Sequence, residues 1–340
     1  MMISETHRYK QSADIAHGCY LVHRMYIGAI TAYSEEIVDR VEALVRECVP
    51  EDSIFFNEPM NKHTSFRIGG PADILVKPSD IEQIKKLCVE CRKENIPYII
   101  LGNGSNVLVS DDGIRGVVIK LLDNYGRIRI EGDVITAQAG ARLSKIGSAA
   151  LNASLTGFEF ACGIPGTLGG ACIMNAGAYG GEMKDILLGV TAMDKDGNIR
   201  EYEPHEMGLG YRTSRFAREE LMVLEARIQL AKGNHDEIEA SMRDLATRRR
   251  EKQPLEFPSA GSTFKRPEGY FAGKLIMDAG LSGFSVGGAC VSQKHCGFVI
   301  NKGGATAQDV CTLMREVSSI VKDKFGVALE PEVKMIGITY

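Results

Sequence analysis

Two glycine-rich stretches hold the residues best placed to do chemistry. The first, GNGSN at 102–106, follows the apolar run YIIL and precedes VLV. Consecutive backbone N–H groups in such a turn form a nest that binds anions, and Ser105 and Asn106 add side-chain donors. The second, GIPGTLGGACIMNAGAYGGE at 163–182, has glycine at seven of its twenty positions, with Pro165 and Asn175 to fix its path. Two surfaces of bare main chain suit a long, flat ligand carrying a diphosphate. A tight hairpin is the plain alternative for the first. Neither is an ordinary nucleotide loop, because the chain has no G-x-x-x-x-G-K-[ST], and GNGSNV lacks the third glycine and following helix of the dinucleotide fingerprint.

Other chemical signals are weaker. CVEC at 88–91 has redox-motif spacing, but both cysteines fall on the apolar face of a predicted helix, which reads as core packing. RRREK at 248–252 complements a helix C-terminus and need bind nothing. His205-Glu206 lacks the second histidine of H-E-x-x-H, so no metal site is expected.

The positioning of these segments falls to the elements around them. SEEIVDRVEALVREC places Ile37, Val38, Val41, Leu44, Val45 and Cys48 on one helical face, and Pro50 ends the run. SFRIGGPADILVKPS alternates like a strand. Ser79 with Glu82 then reads as a capping box opening a helix that buries Ile81, Ile84, Leu87, Cys88 and Cys91. IPYIILGNGSNVLVSDDGIRGVVIKL predicts three short strands broken by the glycine loop and an Asp-Asp-Gly turn. From Asp123 to about Leu230 strands and turns dominate, interrupted by the long glycine segment and a helix over Leu143 to Leu151. A helix over roughly 235–252 leads to a change of composition. Thr306 caps a last helix with Val310, Leu313, Met314, Val317, Ile320 and Val321 inward, ended by Gly326. The first thirty residues show no clear period; Met25 is an alternative start, and His7, His17 and His23 carry no assignment.

Length and composition set the frame. The 340 residues suffice for about two domains. Lys and Arg total 40 against 44 Asp and Glu, a formal charge of -4 that offers no footprint for nucleic acid or an anionic membrane. No apolar run has the length of a membrane span, and the polar start lacks a signal peptide's basic end and apolar middle, so a cytoplasmic protein is expected. Nine sparse cysteines read as reduced thiols.

Six motifs in one order, NKHTSFRIGGPADILVKP, LGNGSNVLVSDDGIRGVVI, GIPGTLGGACIMNAGAYGGE, YRTSRF, GSTFKRP and EPEVKMIG, resemble the UDP-N-acetylenolpyruvoylglucosamine reductase family. The likeness runs from about Asn57 to Gly337. Only one strand and one helix separate YRTSRF from PLEFPSAGS, which matches the form of the family lacking an extra substrate-covering tyrosine loop. The resemblance implies an α+β fold: a two-subdomain FAD-binding module of the vanillyl-alcohol-oxidase (PCMH) type, then a C-terminal α+β substrate-binding domain. The corresponding divisions are an extension and helix at 1–51, FAD-binding subdomains at 52–122 and 123–232, a substrate-binding domain at 233–330, and a strand at 331–340 that returns to the active site. It further implies noncovalent FAD, and NADPH and UDP-N-acetylglucosamine enolpyruvate sharing one site. The product would be UDP-N-acetylmuramate, a peptidoglycan precursor, and the enzyme a monomer.

Matched position by position, the resemblance assigns FAD to Gly102, Asn103, Gly104, Ser105 and Asn106, to Gly140, and to Gly163, Ile164, Pro165, Gly166, Gly169, Gly170 and Asn175. Catalysis falls to Arg212, Ser262 and Glu332, with Glu330 the neighbour most easily confused with Glu332. Substrate binding falls to Tyr211 and to the cations Lys265, Arg266 and Lys274, with Lys294 and His295 as further candidates.

The residue types suit that chemistry on their own terms. Hydride reaching the methylene carbon of an enolpyruvyl group drives charge onto its carboxylate. A fixed guanidinium, Arg212, can meet that charge, and Glu332 can hydrogen-bond the same oxygen if it holds a proton. Ser262 is a small donor for the proton needed at C2, though it needs assistance as an acid. Taken alone, the three would read as a surface ion pair, a turn residue and a strand end. A flavin oxidase of the same fold would need a flavin-linking histidine or cysteine, for which His63 is the only histidine nearby. A non-catalytic UDP-sugar-binding protein would not need all three catalytic residues.

Overall fold

The computed structural model describes residues 35–338 and 340. Met25 and the three N-terminal histidines lie outside them. The first helix, Glu35–Cys48, buries Val41, Val45 and Cys48 but leaves Val38 exposed. Val38 thus lies off the buried stripe that the sequence pattern predicts.

The first sheet has the order Ile54–Pro59, Pro71–Val76, Ile114–Lys120, Tyr98–Leu101. Its outer hairpin is antiparallel and the other pairings are parallel. The strands within it are nearly continuous apolar runs, as expected where both faces are covered. SFRIGGPADILVKPS becomes strand only from Pro71, because Gly70 turns its N–H to the Ser110 carbonyl at 2.8 Å, so close to the 110–113 turn that a side chain would not fit. The next helix, Ile81–Lys93, is capped by Asp80, which accepts from Gln83 N at 2.9 Å; Ser79 instead bonds the Gln83 side chain, so the expected Ser79–Glu82 box does not form. Cys88 and Cys91 are buried on this helix, and burial pushes the Cys88 thiol up to about 12.

The second sheet is antiparallel, in the order Ile199–Tyr202, Leu187–Met193, Met222–Gln229, Val134–Gln138, Ile128–Glu131. Leu143–Asn152 is helical as expected; a short helix, Glu159–Cys162, leads into the long glycine segment, which contains another, Leu168–Met174. The helix His235–Lys252 packs on Leu143–Asn152 and Glu159–Cys162. By packing it goes with the second sheet, and the chain changes core only after it, later than the division at 233.

A separate core is built by Phe264, Leu275, Ile276, Leu313, Met314 and Val317, joined by Phe66, Ile68 and Leu108 from the first unit. Around it stand the helices Ala272–Asp278 and Ala307–Phe325 and a three-stranded sheet of Ser285–Val286, Ala289–Val291 and Val299–Asn301. The final strand, Lys334–Ile336, runs back to pair in parallel with Val107–Val109, immediately after the glycine loop.

The Ala307–Phe325 helix begins with a reciprocal Thr306–Asp309 capping box and ends at Gly326 in the left-handed region, as the sequence predicts. A residue from another unit completes its cap: Asp111 accepts from Ala307 N at 2.9 Å and Gln308 N at 3.2 Å. Asp111→Ala should therefore lower stability by about 1 kcal/mol. The midpoint of urea unfolding measures it, and an unchanged midpoint would show that Thr306 and Asp309 suffice.

Candidate active site

The glycine loop, the long glycine segment and the three motifs that carry Arg212, Ser262 and Glu332 meet at one cleft. Its lining comprises Gly102–Asn106, Leu143, Ile164–Thr167, Gly170, Ala171, Met174, Ala176–Ala178, Arg212, Arg249, Gln253, Ala260–Ser262, Phe298 and Glu332. Asn103 ties two of these walls together by donating to the Pro165 carbonyl at 2.9 Å.

Arg212 enters from a strained turn. Its φ is 54°, and the Gly210–Thr213 bridge closes around it. Two contacts hold that turn against the glycine segment: Asn175 Nδ2 donates to Gly210 O at 3.2 Å, and buried Ser214 donates to Ile173 O at 2.7 Å. Asn175 is itself buried, left-handed at φ 44°, and also accepts from Lys184 N and donates to Glu182. Its amide is thus engaged by protein and absent from the cleft lining, where it acts as a brace for the Arg212 turn.

Glu332 arrives on the last segment. The Phe264–Pro331 bridge, Glu332 N to Thr263 O at 2.8 Å and Lys334 N to Asn106 O at 3.0 Å hold it beside both Ser262 and the glycine loop. The two acids have different surroundings although they stand two residues apart: Glu330 is exposed and pairs with Lys265, while Glu332 is buried and pairs with Arg212. Arg212 Nε lies 2.7 Å from Glu332 Oε1, yet its buried N–H has no aligned acceptor, so the contact is an ion pair with a donor left over. Burial pushes the Glu332 carboxyl above its usual range, against the opposing pull of Arg212, Lys265 and Lys334.

Ser262 follows Gly261 and precedes buried Thr263, which is fixed by Gly297 O at 2.9 Å through its N–H and by Val299 N at 2.9 Å through its hydroxyl. The half-buried Ser262 hydroxyl faces the cleft.

The glycines divide into two kinds. A methyl on Gly166 would meet nothing nearer than Ser105 Oγ at 3.8 Å, and one on Gly170 nothing nearer than Thr167 Oγ1 at 3.9 Å. Others are small because protein lies against them: Ala139 Cβ would be 2.9 Å from a methyl on Gly169, Gly140 abuts the backbone of Leu122 and Tyr125, and Gly102 abuts Thr167. Gly163 would touch Arg249 at 3.4 Å. Gly104, at φ +67°, has its Cβ direction blocked by the His63 carbonyl, so a side chain there would strike main chain instead of entering the cleft.

Several expected substrate residues lie elsewhere. Lys274 pairs with Asp278 at 2.8 Å, and Lys294 with Glu256 at 3.4 Å. His295 accepts from Gly297 N at 3.1 Å and stacks edge-on to Phe298, and burial lowers its pKa. Tyr211 accepts from Arg266 N at 3.1 Å, linking the Arg212 turn to the loop after Ser262; the Arg266 side chain lies over Phe271. None of these five residues lines the cleft, nor does Lys265. His63 bonds Glu58 at 2.8 Å and faces a different cavity.

Sequence reasoning missed Arg249 and Gln253. The arginine run had been explained by the helix dipole, but Arg248 pairs outward with Asp244 whereas Arg249 faces the cleft, where burial lowers its pKa. The i,i+4 spacing of Arg249 and Gln253 was the available signal. Gln253 Oε1 is buried without a partner among the described residues.

Comparison with known proteins fits this geometry. Residues 72–203 match the family model of an FAD binding domain, and residues 253–336 that of the C-terminal domain of UDP-N-acetylenolpyruvoylglucosamine reductase. The chain is 56% identical over 287 residues to the UDP-N-acetylenolpyruvoylglucosamine reductase of Clostridioides difficile strain 630, covering 84% of this chain and 94% of that one. It is 53% identical over 304 residues to the same-named protein of Caldanaerobacter subterraneus, covering 89% and 99%. The crystal structure of UDP-N-acetylenolpyruvylglucosamine reductase from Thermus caldophilus superposes with a TM-score of 0.71 at 35% identity, over 83% of this chain and 98% of that one. Identity above one half across nearly the full length of such relatives shows that this FAD-binding oxidoreductase belongs to the UDP-N-acetylenolpyruvoylglucosamine reductase family.

Proposed function

We propose that the protein reduces the enolpyruvyl ether of UDP-N-acetylglucosamine enolpyruvate to the lactyl ether of UDP-N-acetylmuramate, supplying peptidoglycan synthesis in the cytoplasm. The observation that carries this reading is the convergence of Arg212, Ser262 and Glu332 on a cleft whose other walls are largely main chain. FAD suits those walls. Gly166 and Gly170 leave space that methyl groups would fill, the 102–106 backbone can receive a diphosphate, and Gln253 Oε1 is a buried acceptor without a hydrogen-bond partner among the described residues. When bound, FAD would supply the hydride delivered to the methylene carbon, having obtained it from NADPH.

The chain's own residues handle the charge and the proton. As negative charge moves onto the substrate carboxylate, Arg212 stabilises it from a position fixed by the Asn175 brace. Glu332, whose pKa burial raises, donates a hydrogen bond to the same carboxylate when it holds a proton. Ser262 donates the proton at C2. Arg249 gives the cleft a second cation for a phosphate. Lys265 and Arg266, directly after the Ser262 motif, remain the candidates for the UDP diphosphate, with Tyr211 holding the Arg266 backbone.

Substitutions at four positions test this reading. Gly166→Val should leave the melting of flavin-free protein unchanged but yield colourless preparations. Gly104→Ala should lose at least about 1–2 kcal/mol with or without flavin, the scale of its left-handed backbone alone, with the clash on the His63 carbonyl adding to it; the reverse pattern would undo the division of the glycines.

Arg212→Ala should cut substrate turnover by roughly 100-fold or more, the scale of losing one preorganised donor. Flavin reduction by NADPH should suffer far less, and equal damage to both half-reactions would point to lost folding.

Ser262→Ala separates the two half-reactions further. Rapid mixing with NADPH should bleach the flavin near the wild-type rate, while anaerobic reoxidation by the enolpyruvyl sugar slows by orders of magnitude and Ser262→Cys recovers part of it. Normal reoxidation in Ser262→Ala would remove Ser262 from the chemistry.

A further inference from the structure

A second cavity, of about 490 Å³, shares the Asn103 wall with the cleft and is lined by cations that the reaction does not use. Lys120 is the most unusual of them. It is only 4% exposed, and its ammonium makes one hydrogen bond among the described residues, to the His63 carbonyl at 3.3 Å. Lysine is rarely buried so far without a carboxylate, and an ammonium has three donors to place. Lys77, half-buried, lies 4.1 Å over the Phe55 ring, and no carboxylate pairs with it or with Lys62 among the described residues.

Arg142 supplies an independent observation. Its Nε is buried with no acceptor, although its Nη2 lies 3.5 Å from Asp123. Asp123 is the cavity's carboxylate and is already bonded by Lys145 at 2.8 Å. The unfilled donors of Lys120 and Arg142 come from a strand end and a helix start, so they do not form one solvated face of a single element.

We propose that this cavity is a phosphate site, taking a small phosphorylated anion whose oxygens accept from Lys120, Lys77 and Arg142. An acceptor-only ligand with more than one negative oxygen suits the cavity, because donors from separate elements line it with part of their hydrogen-bonding capacity unmet among the described residues. Burial, with Lys77 and Arg142 nearby, lowers the Lys120 pKa to about 8. Below that value Lys120 is charged and binding is favoured; above it the charge is lost and binding weakens. His63 is held towards neutrality by burial, and Asp123 stays anionic, its pKa lowered by the Lys145 hydrogen bond.

The shared Asn103 allows two sources for such a phosphate: a separate metabolite, which is the proposal, or the phosphates of FAD itself. Calorimetric titration of the flavin-loaded protein with inorganic pyrophosphate at low ionic strength distinguishes them. Saturable one-site binding is expected at pH 7, weaker at pH 9. Lys120→Met and Lys77→Ala should each weaken it by about tenfold or more, with unchanged flavin spectra. If Lys120→Met does not fold, Lys77→Ala carries the test. Lys145→Ala, whose lysine lies outside the lining, should keep the wild-type affinity. The proposal fails if the loaded protein does not bind, if neither cavity substitution matters, or if Lys145→Ala loses affinity equally, which would mean general surface charge. Binding that appears only after flavin removal also overturns it, by assigning the cations to the cofactor.

Discussion

The architecture turns on an ion pair whose members come from opposite ends of the fold. Arg212 and Glu332 are brought within 2.7 Å inside a cleft, with Glu332 buried. Desolvating two charges is expensive, and their attraction repays it only when the geometry is fixed from both sides. Each side is accordingly over-determined. The Arg212 turn is strained at φ 54° and tied down by Asn175 and Ser214, while Glu332 is pinned by Thr263 and, through its neighbours, by Phe264 and Asn106. Strain kept at such a cost in a site is typical of functional preorganisation.

Main chain serves here in two ways that look identical in sequence. At Gly140 and Gly169 the absent side chain lets protein pack on protein. At Gly166 and Gly170 it leaves space for something else. The first use builds the wall and the second keeps it bare, so the glycine segment is both a helix-packing device and a ligand surface.

Much of this was legible beforehand. The Ala307–Phe325 helix announced both its ends, through Thr306 and Gly326, because caps are local chemistry. The three positions proposed to be catalytic could be found from motif order, and they share a cleft. What escaped depended on contacts distant in sequence. Ser79 could not be known to surrender the cap to Asp80, since that rests on where the Gln83 side chain turns. Arg249 was hidden among like neighbours, and only packing of its helix on Leu143–Asn152 decides which arginine faces inward. The loop cations fared the other way: their charge was visible, but not the carboxylates that pair with Lys274 and Lys294.

The parallel pairing of Lys334–Ile336 with Val107–Val109 also sets a timetable for the protein's synthesis. About 230 residues separate the two strands, and at roughly 5–20 residues per second the ribosome needs some 10–45 s to make them. Throughout that interval the strand beside the glycine loop has its partner edge open, and the loop lacks the carboxylate that faces Arg212. The enzyme can be assembled sheet by sheet as it emerges, but its acid arrives last, with the tail of the chain.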